Sequence, residues 1–265
     1  MDELRHEIWH SLEAHFRDRL IPRVASVVRP PGGATERVSP FTVVLLEGGA
    51  AGACWNLLDT AEHRAAYAAM DPQGCDGQDA LEVARGLLEG DRVQRIVGHA
   101  ACSALSQVLL LAGDIAVDTE TPLVELMHLG PTDRVGLVGH APPLLRQIAS
   151  QVAQVMVLER EGPVPAREGV VRAASPGDLA SCTVLVITST TLLDDSFAEV
   201  ERVSRGARFR AVYGPGAAIV PDALFRRGID AIAGTLFTDG PALAERQRQG
   251  QRWGDAKRKF VLSRP

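Results

Sequence analysis

The chain has 265 residues, of which 46% are hydrophobic and 23% are charged, and its formal net charge is −5 at pH 7. This composition is typical of a soluble globular protein with a substantial core. The small excess of acids argues against nucleic acid as a partner. The apolar runs are broken short of the ~20 residues that span a bilayer, and no secretory leader is visible. We therefore expect a cytoplasmic protein that does not insert into a membrane.

Four cysteines are present, namely Cys54, Cys75, Cys102 and Cys182. They form no C-x-x-C pair, and their spacing fits neither a zinc site nor a disulfide framework. We expect them to be small buried residues, and a reactive thiol is the alternative.

Residues 2–20 predict an amphipathic helix, because apolar side chains recur at every fourth position from Leu4 to Leu20. A second face carries His6 and His10 at i and i+4, a spacing that can bind a metal. Since most neighbours on that face are charged, a solvated surface is the expected role, and a metal site is the alternative.

After a Pro-Pro-Gly-Gly break, the sequence predicts a β-hairpin followed by two helices. The strands are expected at residues 37–47 and 53–58, on either side of a glycine-rich turn. The helices are expected at residues 79–88 and 93–112, and the second is rich in small residues that permit close packing. The N-terminal part, residues 1–113, is therefore predicted to be an α+β domain.

Residues 114–133 are expected to connect two domains, and from residue 134 apolar strands alternate with helices. This alternation predicts an α/β domain over residues 134–265, with a parallel sheet covered on both faces. The strands are expected at 134–138, 154–158, 183–188, 209–213 and 230–233, and the helices at 143–150, 195–204, 221–226 and 241–248. The basic run at residues 257–259 is expected to be a solvated end.

Glycines and polar residues follow the predicted strands of this sheet. The strand ends carry Gly139-His140, Glu159-Arg160, Thr188-Ser189-Thr190-Thr191, Tyr213-Gly214-Pro215 and Gly234-Thr235. Because the carboxyl ends of parallel strands form the ligand-binding edge of an open α/β sheet, these residues form the candidate site.

The first strand end contains Gly136 and Gly139, a G-x-x-G turn rather than the dinucleotide fingerprint G-x-G-x-x-G. Gly139 could admit a ligand close to backbone N–H groups at the helix start, or could simply form the turn. His140 could serve as an acid–base group or a metal ligand, or could bond the backbone. Glu159 occupies the position where Rossmann-type proteins bind a ribose, although an acid often merely ends a strand.

The hydroxyl run Thr188 to Thr191 provides donors and acceptors for a polar ligand directly after an apolar strand. The same residues could cap the next helix, with Asp194 or Asp195 at the N-cap, and both roles can hold at once. Gly214 and Pro215 complete the predicted ligand-binding set. No Ser-His-Asp arrangement, Walker loop or H-E-x-x-H helix is present, so no catalytic residue is predicted.

Five segments resemble, in sequence and order, a family described as putative heavy-metal chelation proteins: Val135 to Leu144, Val157 to Arg160, Val186 to Leu192, Tyr213 to Pro215 and Gly228 to Thr235. The resemblance implies an enolase N-terminal-like domain followed by a Rossmann-like domain, with a possible site where they meet. It covers essentially the whole chain and implies no particular reaction. The chain departs from the family pattern at Ser189, where glycine is expected.

Three functional hypotheses follow. In the first, an enzyme binds a nucleoside-type ligand, favouring S-adenosylmethionine, and acts on a small amino-acid-like or metal-chelating substrate, as in metallophore biosynthesis. In the second, the protein binds a divalent transition metal without catalysis, with His140 and either His99 or the first-helix histidines as ligands. A purely structural role is disfavoured by the Gly/Thr-rich strand ends. We also expect a homodimer, formed through the first helix or the small residues 98–104.

Overall fold

The computed structural model describes residues 3–31, 40–139, 141–160, 162–164 and 167–265. Within these ranges, a small three-stranded sheet lies in the N-terminal part, and a seven-stranded sheet lies in the C-terminal part. The small sheet is antiparallel and the large sheet is mostly parallel. The predicted fold class, an N-terminal α+β part followed by a Rossmann-like α/β part, is confirmed. The predicted domain boundaries stay a prediction.

The helices and strands of the N-terminal part are α1 (Glu3–Phe16), β1 (Val24–Val28), β2 (Phe41–Leu46), β3 (Ala51–Trp55), α2 (Ala61–Ala69), α3 (Ala80–Ala84), α4 (Gly86–Glu89) and α5 (Arg92–Ala112). The predicted hairpin is formed by β2 and β3, although part of the predicted strand 37–47 lies outside the described residues. The predicted helix 79–88 is divided into α3 and α4. Neither β1 nor α2 was predicted.

The elements of the C-terminal part are α6 (Leu123–Leu126), β4 (Arg134–Val138), α7 (Pro142–Ile148), β5 (Gln154–Leu158), β6 (Val170–Arg172), β7 (Val184–Thr188), α8 (Ser196–Val203), β8 (Phe209–Tyr213), α9 (Asp222–Arg226), β9 (Ala231–Phe237), α10 (Gly240–Arg248) and β10 (Lys257–Ser263). Every strand and helix expected after residue 133 is present. The basic run 257–259 is exposed, as expected, but it begins the unpredicted strand β10 rather than a free end.

The order of the large sheet is β6-β5-β4-β7-β8-β9-β10. Its pairs from β6 to β9 are parallel, and β10 joins β9 antiparallel. Numbered from β4, the first six strands follow the order 3-2-1-4-5-6 of dinucleotide-binding sheets. The chain winds away from β4 on one side and resumes at β7 on the other. The carboxyl ends of β4 and β7 therefore flank a topological switch point, where such sheets bind their ligands.

Helix α5 packs against both sheets. A Cβ added to Gly52 in β3 would lie 2.1 Å from the backbone nitrogen of Ala104, so only glycine permits this approach. On the other side, the Gln107 amide donates to the carbonyl of Thr235 at 2.8 Å and accepts from the N–H of Phe237 at 3.0 Å. The small residues that favoured a dimer face are therefore used inside the chain.

By length and composition alone, α5 could also cross a membrane. However, 78% of its most apolar 18-residue window is buried inside the chain, as in the core helix of a globular protein. Polar residues interrupt the apolar run of α5, as expected, but the helix has only two arginines in 21 residues and its mean hydropathy is therefore high.

The apolar stripe of α1 is buried inside the chain. Another face of α1 makes ionic contacts. Arg227, after α9, lies 2.7 Å from Glu7 of α1 and 3.0 Å from Glu201 of α8. Both surfaces expected to form a dimer are thus largely covered, and the homodimer remains a prediction without an assigned surface. His10 contacts Glu13 at 3.5 Å on the exposed side of α1.

Candidate functional site

A cavity of about 1690 Å³ lies between the two sheets. One wall is formed by the carboxyl ends of β4, β5, β7 and β8, and the opposite wall by one end of the small sheet and by α2. Most pockets for a single small ligand measure ~300–1,000 Å³. The cavity therefore has room for two small molecules side by side.

Gly139 forms the turn after β4 and lines the cavity. Its φ is 85°, and its N–H donates to the carbonyl of Leu158 at 2.8 Å. An added Cβ would lie 2.9 Å from the Thr188 methyl group, so the turn touches the end of β7. Any residue other than glycine would be strained here and would fill the crevice between the two strands.

Gly136 and His140 were predicted to belong to the same strand end as Gly139. Gly136 lies within β4, where an added Cβ would lie 2.9 Å from Leu185 and 3.2 Å from Leu179. It therefore allows close packing below the cavity and does not line it. His140 lies outside the described residues.

Glu159 lines the cavity directly after β5. Its carbonyl accepts a hydrogen bond from Arg172 at 2.8 Å, which fixes the backbone at the strand end. Tyr213, at the end of β8, also lines the cavity, and burial together with the nearby Glu159 carboxylate raises its pKa. The site therefore offers an acceptor at Glu159 and a protonated phenol at Tyr213.

Thr188, Ser189, Thr190 and Thr191 all line the cavity and continue from β7 into a 3₁₀ turn, Ser189–Leu193. The Thr188 hydroxyl caps this turn and lies 3.1 Å from the Thr190 hydroxyl, while the Thr191 hydroxyl donates to the Thr188 carbonyl at 2.7 Å. These hydroxyls therefore cap the 3₁₀ turn and not the next helix, and their ligand-binding role stays a prediction. Asp195 occupies the N-cap position of α8 without a side-chain cap, and the preceding Asp194 carboxylate accepts from the N–H of Ser196 at 3.0 Å.

Gly214 and Pro215 follow β8 and line the cavity beside the hydroxyl run. An added Cβ on Gly214 would lie 3.1 Å from the Ser189 hydroxyl. The next residue, Gly216, accepts a hydrogen bond at its carbonyl from Nε2 of the buried His99 at 2.7 Å. Burial lowers the pKa of His99, so its neutral ring holds this turn. His99 does not line the cavity, so it is not placed to bind a metal there.

A metal centre requires several ligand side chains grouped at one point. Within the described ranges, no three or more His, Cys, Asp or Glu side chains are grouped to hold a metal ion. Burial raises the pKa of Cys102 to about 12 and that of Cys54 well above its ordinary value, which opposes the thiolate that binds soft metals. At the cavity, Asp194 is paired with Arg160 at 2.6 Å. The described side chains therefore do not fit a metal centre.

Sequence reasoning missed the opposite wall of the cavity. It carries Arg29 after β1, Trp55 at the end of β3, and Arg64 and Tyr67 in α2. These residues are dispersed along the chain and share no motif spacing. Trp55 itself was the one signal in the sequence, because tryptophan is enriched at binding surfaces.

The fold and the cavity define an α/β protein with a Rossmann-like sheet and a ligand-sized space between its two sheets. Residues 122–264 match the model of a family described as "Putative heavy-metal chelation", and residues 38–106 match a second model with the same description. The first match covers more than half of the chain, so the chain belongs to this family. The predicted resemblance is confirmed. No curated protein sequence matches the chain.

Two solved structures from the family are similar along their full length. One is a protein of unknown function from Pyrococcus horikoshii, 16% identical, with a TM-score of 0.74, covering 98% of this chain and 99% of that chain. The other is a protein of unknown function from Desulfitobacterium hafniense DCB-2, 18% identical, with a TM-score of 0.73, covering 97% and 98%. At these identities, the likeness shows the fold alone.

Proposed function

We propose that the protein is an enzyme that binds a nucleoside-type ligand, with S-adenosylmethionine or a relative favoured, at the carboxyl edge of the large sheet. The sheet order carries the proposal, because it brings the Gly139 turn and the Glu159 carboxylate to successive strand ends beside the switch point. Glu159 would accept the ribose hydroxyls. A turn without the G-x-G-x-x-G fingerprint favours a ligand without a pyrophosphate.

The remaining volume would hold a small amino-acid-like or metal-chelating substrate opposite this edge. A role in metallophore biosynthesis would fit a family described by heavy-metal chelation. In this chain, the described side chains form no metal centre of their own. The Tyr213 phenol would donate a hydrogen bond to either molecule. The cytoplasmic location and the homodimer expected from the sequence remain predictions.

A non-catalytic metal-binding protein is the second candidate, and the family description favours it. It would require His140 to combine with acids at the cavity, such as Glu159. This candidate predicts stoichiometric metal binding that does not depend on a nucleoside.

Substitution of Glu159 separates the two candidates. We expect Glu159→Gln to weaken S-adenosylhomocysteine binding about tenfold or more in titration calorimetry, since a hydrogen bond to a charged group contributes ~1.5–3 kcal/mol. Glu168→Gln is the matched control, because this acid is exposed and does not line the cavity. Equal affinity in wild type and Glu159→Gln would show that the ribose assignment is wrong. Equilibrium dialysis with nickel, zinc and copper measures the metal alternative on the same proteins.

A further inference from the structure

The cavity has an N-terminal wall, which we define as Arg29, Phe41, Trp55, Arg64 and Tyr67. This wall has no part in the proposed nucleoside site. It forms where β1 ends, β2 begins and β3 ends, so three strands meet at one edge of the small sheet. Phe41 and Trp55 are paired in register there, and their rings meet edge to face at 5.3 Å. Strand pairing and the contact between the two rings therefore fix the position of this wall.

Arg29 is held in place by α2. Its Nη1 donates to the carbonyls of Tyr67 at 2.7 Å and Ala68 at 3.2 Å, and its guanidinium carbon lies 5.8 Å from the centre of the Tyr67 ring. The Tyr67 hydroxyl is itself bonded to buried Thr42 at 2.7 Å and Asn56 at 3.1 Å. These contacts use one edge of the guanidinium and orient the group before any ligand arrives.

Arg64 lies in the first turn of α2 and donates to the carbonyl of Leu58 at 3.0 Å. Among the described residues, neither Arg29 nor Arg64 is paired with a carboxylate. The acid on this wall, Asp59, is bonded to His63 at 2.6 Å and lies 3.9 Å from Arg92. Within the described part of the chain, the two cavity arginines therefore form no ion pair and can bind an anionic group.

Trp55 supplies the apolar part of the wall, with 43% of its surface exposed. Guanidinium groups bind carboxylates through parallel charge-assisted hydrogen bonds, and an indole face binds apolar or aromatic groups. We propose that the N-terminal wall binds the carboxylate of the second substrate through Arg29 and Arg64, while Trp55 contacts its apolar or aromatic body. This inference rests on the proposed function in that the cavity holds a second molecule beside the nucleoside.

The fluorescence of Trp55 provides the assay, because the other tryptophans, Trp9 and Trp253, are buried at 7% and 5% exposure. Phenylacetate and phenethylamine carry the same ring and opposite charges. We expect phenylacetate to change the fluorescence saturably and phenethylamine to bind at least tenfold more weakly. Trp55→Phe should abolish the signal.

Arginine variants test the charge assignment. We expect Arg64→Gln and Arg29→Gln each to weaken phenylacetate binding at least fivefold. Arg23→Gln is the control, since Arg23 also donates to a backbone carbonyl, that of Gly77 at 2.6 Å, but lies outside the cavity. Arg64 is exposed, so we expect Arg64→Gln to keep the fold, and the test stands even if Arg29→Gln unfolds.

Three results would overturn the inference: equal binding of the two probes, unchanged phenylacetate affinity in Arg64→Gln, or phenyl phosphate binding at least tenfold tighter than phenylacetate. The same proteins are titrated with S-adenosylhomocysteine, whose affinity should not change in Arg64→Gln. Binding of phenylacetate without binding of S-adenosylhomocysteine would contradict the proposed function and leave the wall assignment standing. The reverse pattern would overturn only the wall assignment.

Discussion

Asp133 joins three segments of the large sheet, immediately before β4. Its carboxylate accepts hydrogen bonds from Thr183 at 2.6 Å, from Arg208 at 2.7 Å and from the N–H of Gly130 at 2.8 Å. The Arg208 guanidinium, with smaller contributions from Thr183 and Gly130, lowers the pKa of Asp133 to about 2 against the opposing effect of burial. The Asp133 side chain is 11% exposed, but its partner Arg208 is 43% exposed, so solvent partly screens their ion pair.

We therefore expect Asp133→Asn to lower the free energy of unfolding by about 2 kcal/mol at pH 7. The fall in pKa from an ordinary value of ~3.9 corresponds to about 2.6 kcal/mol at ~1.36 kcal/mol per pKa unit, and solvent screening at the exposed Arg208 reduces it. Because the folded-state pKa is lowered, this stabilisation is complete above the unfolded-state value and is lost as the pH falls towards 2. At pH 3, about half of it should remain.

Urea unfolding of wild type and Asp133→Asn at pH 7 and pH 3 measures both quantities. Asp18→Asn is the control, because Asp18 is exposed and lies outside the sheet. The reasoning is refuted if the variant is as stable as wild type at pH 7, or if the difference between them is the same at pH 3.

Two glycine substitutions give further predictions. Gly139→Ala should cost about 1–2 kcal/mol of stability for its backbone conformation, and more for contact with Thr188. Gly113→Ala is the control, because Gly113 has a similar φ and no atom lies within 4 Å of an added Cβ. Equal losses of stability in the two variants on urea unfolding would contradict the predicted contact. Gly52→Ala should cost about 3 kcal/mol or more, since the neighbouring atoms are the α5 backbone. Gly206→Ala, with open space around it, should change the melting temperature little, and a similar small change in Gly52→Ala would refute the close approach of β3 to α5.

The parallel strands could be predicted because their burial leaves a clear record in the sequence. Residues 184–187 of β7 are fully buried on both faces, which requires a continuous apolar run. The two strands missed in this sheet, β6 and β10, lie at its edges. An edge strand has one neighbour and tolerates exposed charges, as Lys257 and Lys259 do in β10, so its pattern resembles a loop or a tail.

Half of the candidate site could also be predicted, since residues that follow parallel strands must meet at one edge. This rule brings Gly139, Glu159 and Thr188 to the same cavity. It could not separate Gly136, which packs downward, because the pleat of β4 decides which way each residue faces. Arg29 and Arg64 could not be predicted from the sequence, since they line the same cavity only through the packing of α2 against the small sheet.

The measurement that tests the proposed nucleoside site most directly is a thermal shift on metal-stripped protein. It uses S-adenosylmethionine, S-adenosylhomocysteine, NAD, ATP and the divalent ions nickel, zinc and copper, singly and in pairs. A ligand that binds only the folded state raises the melting temperature by mass action. We predict a rise with the two adenosyl ligands that is lost in Glu159→Gln. A rise with a stoichiometric metal ion, and none with either adenosyl ligand, would contradict the proposal.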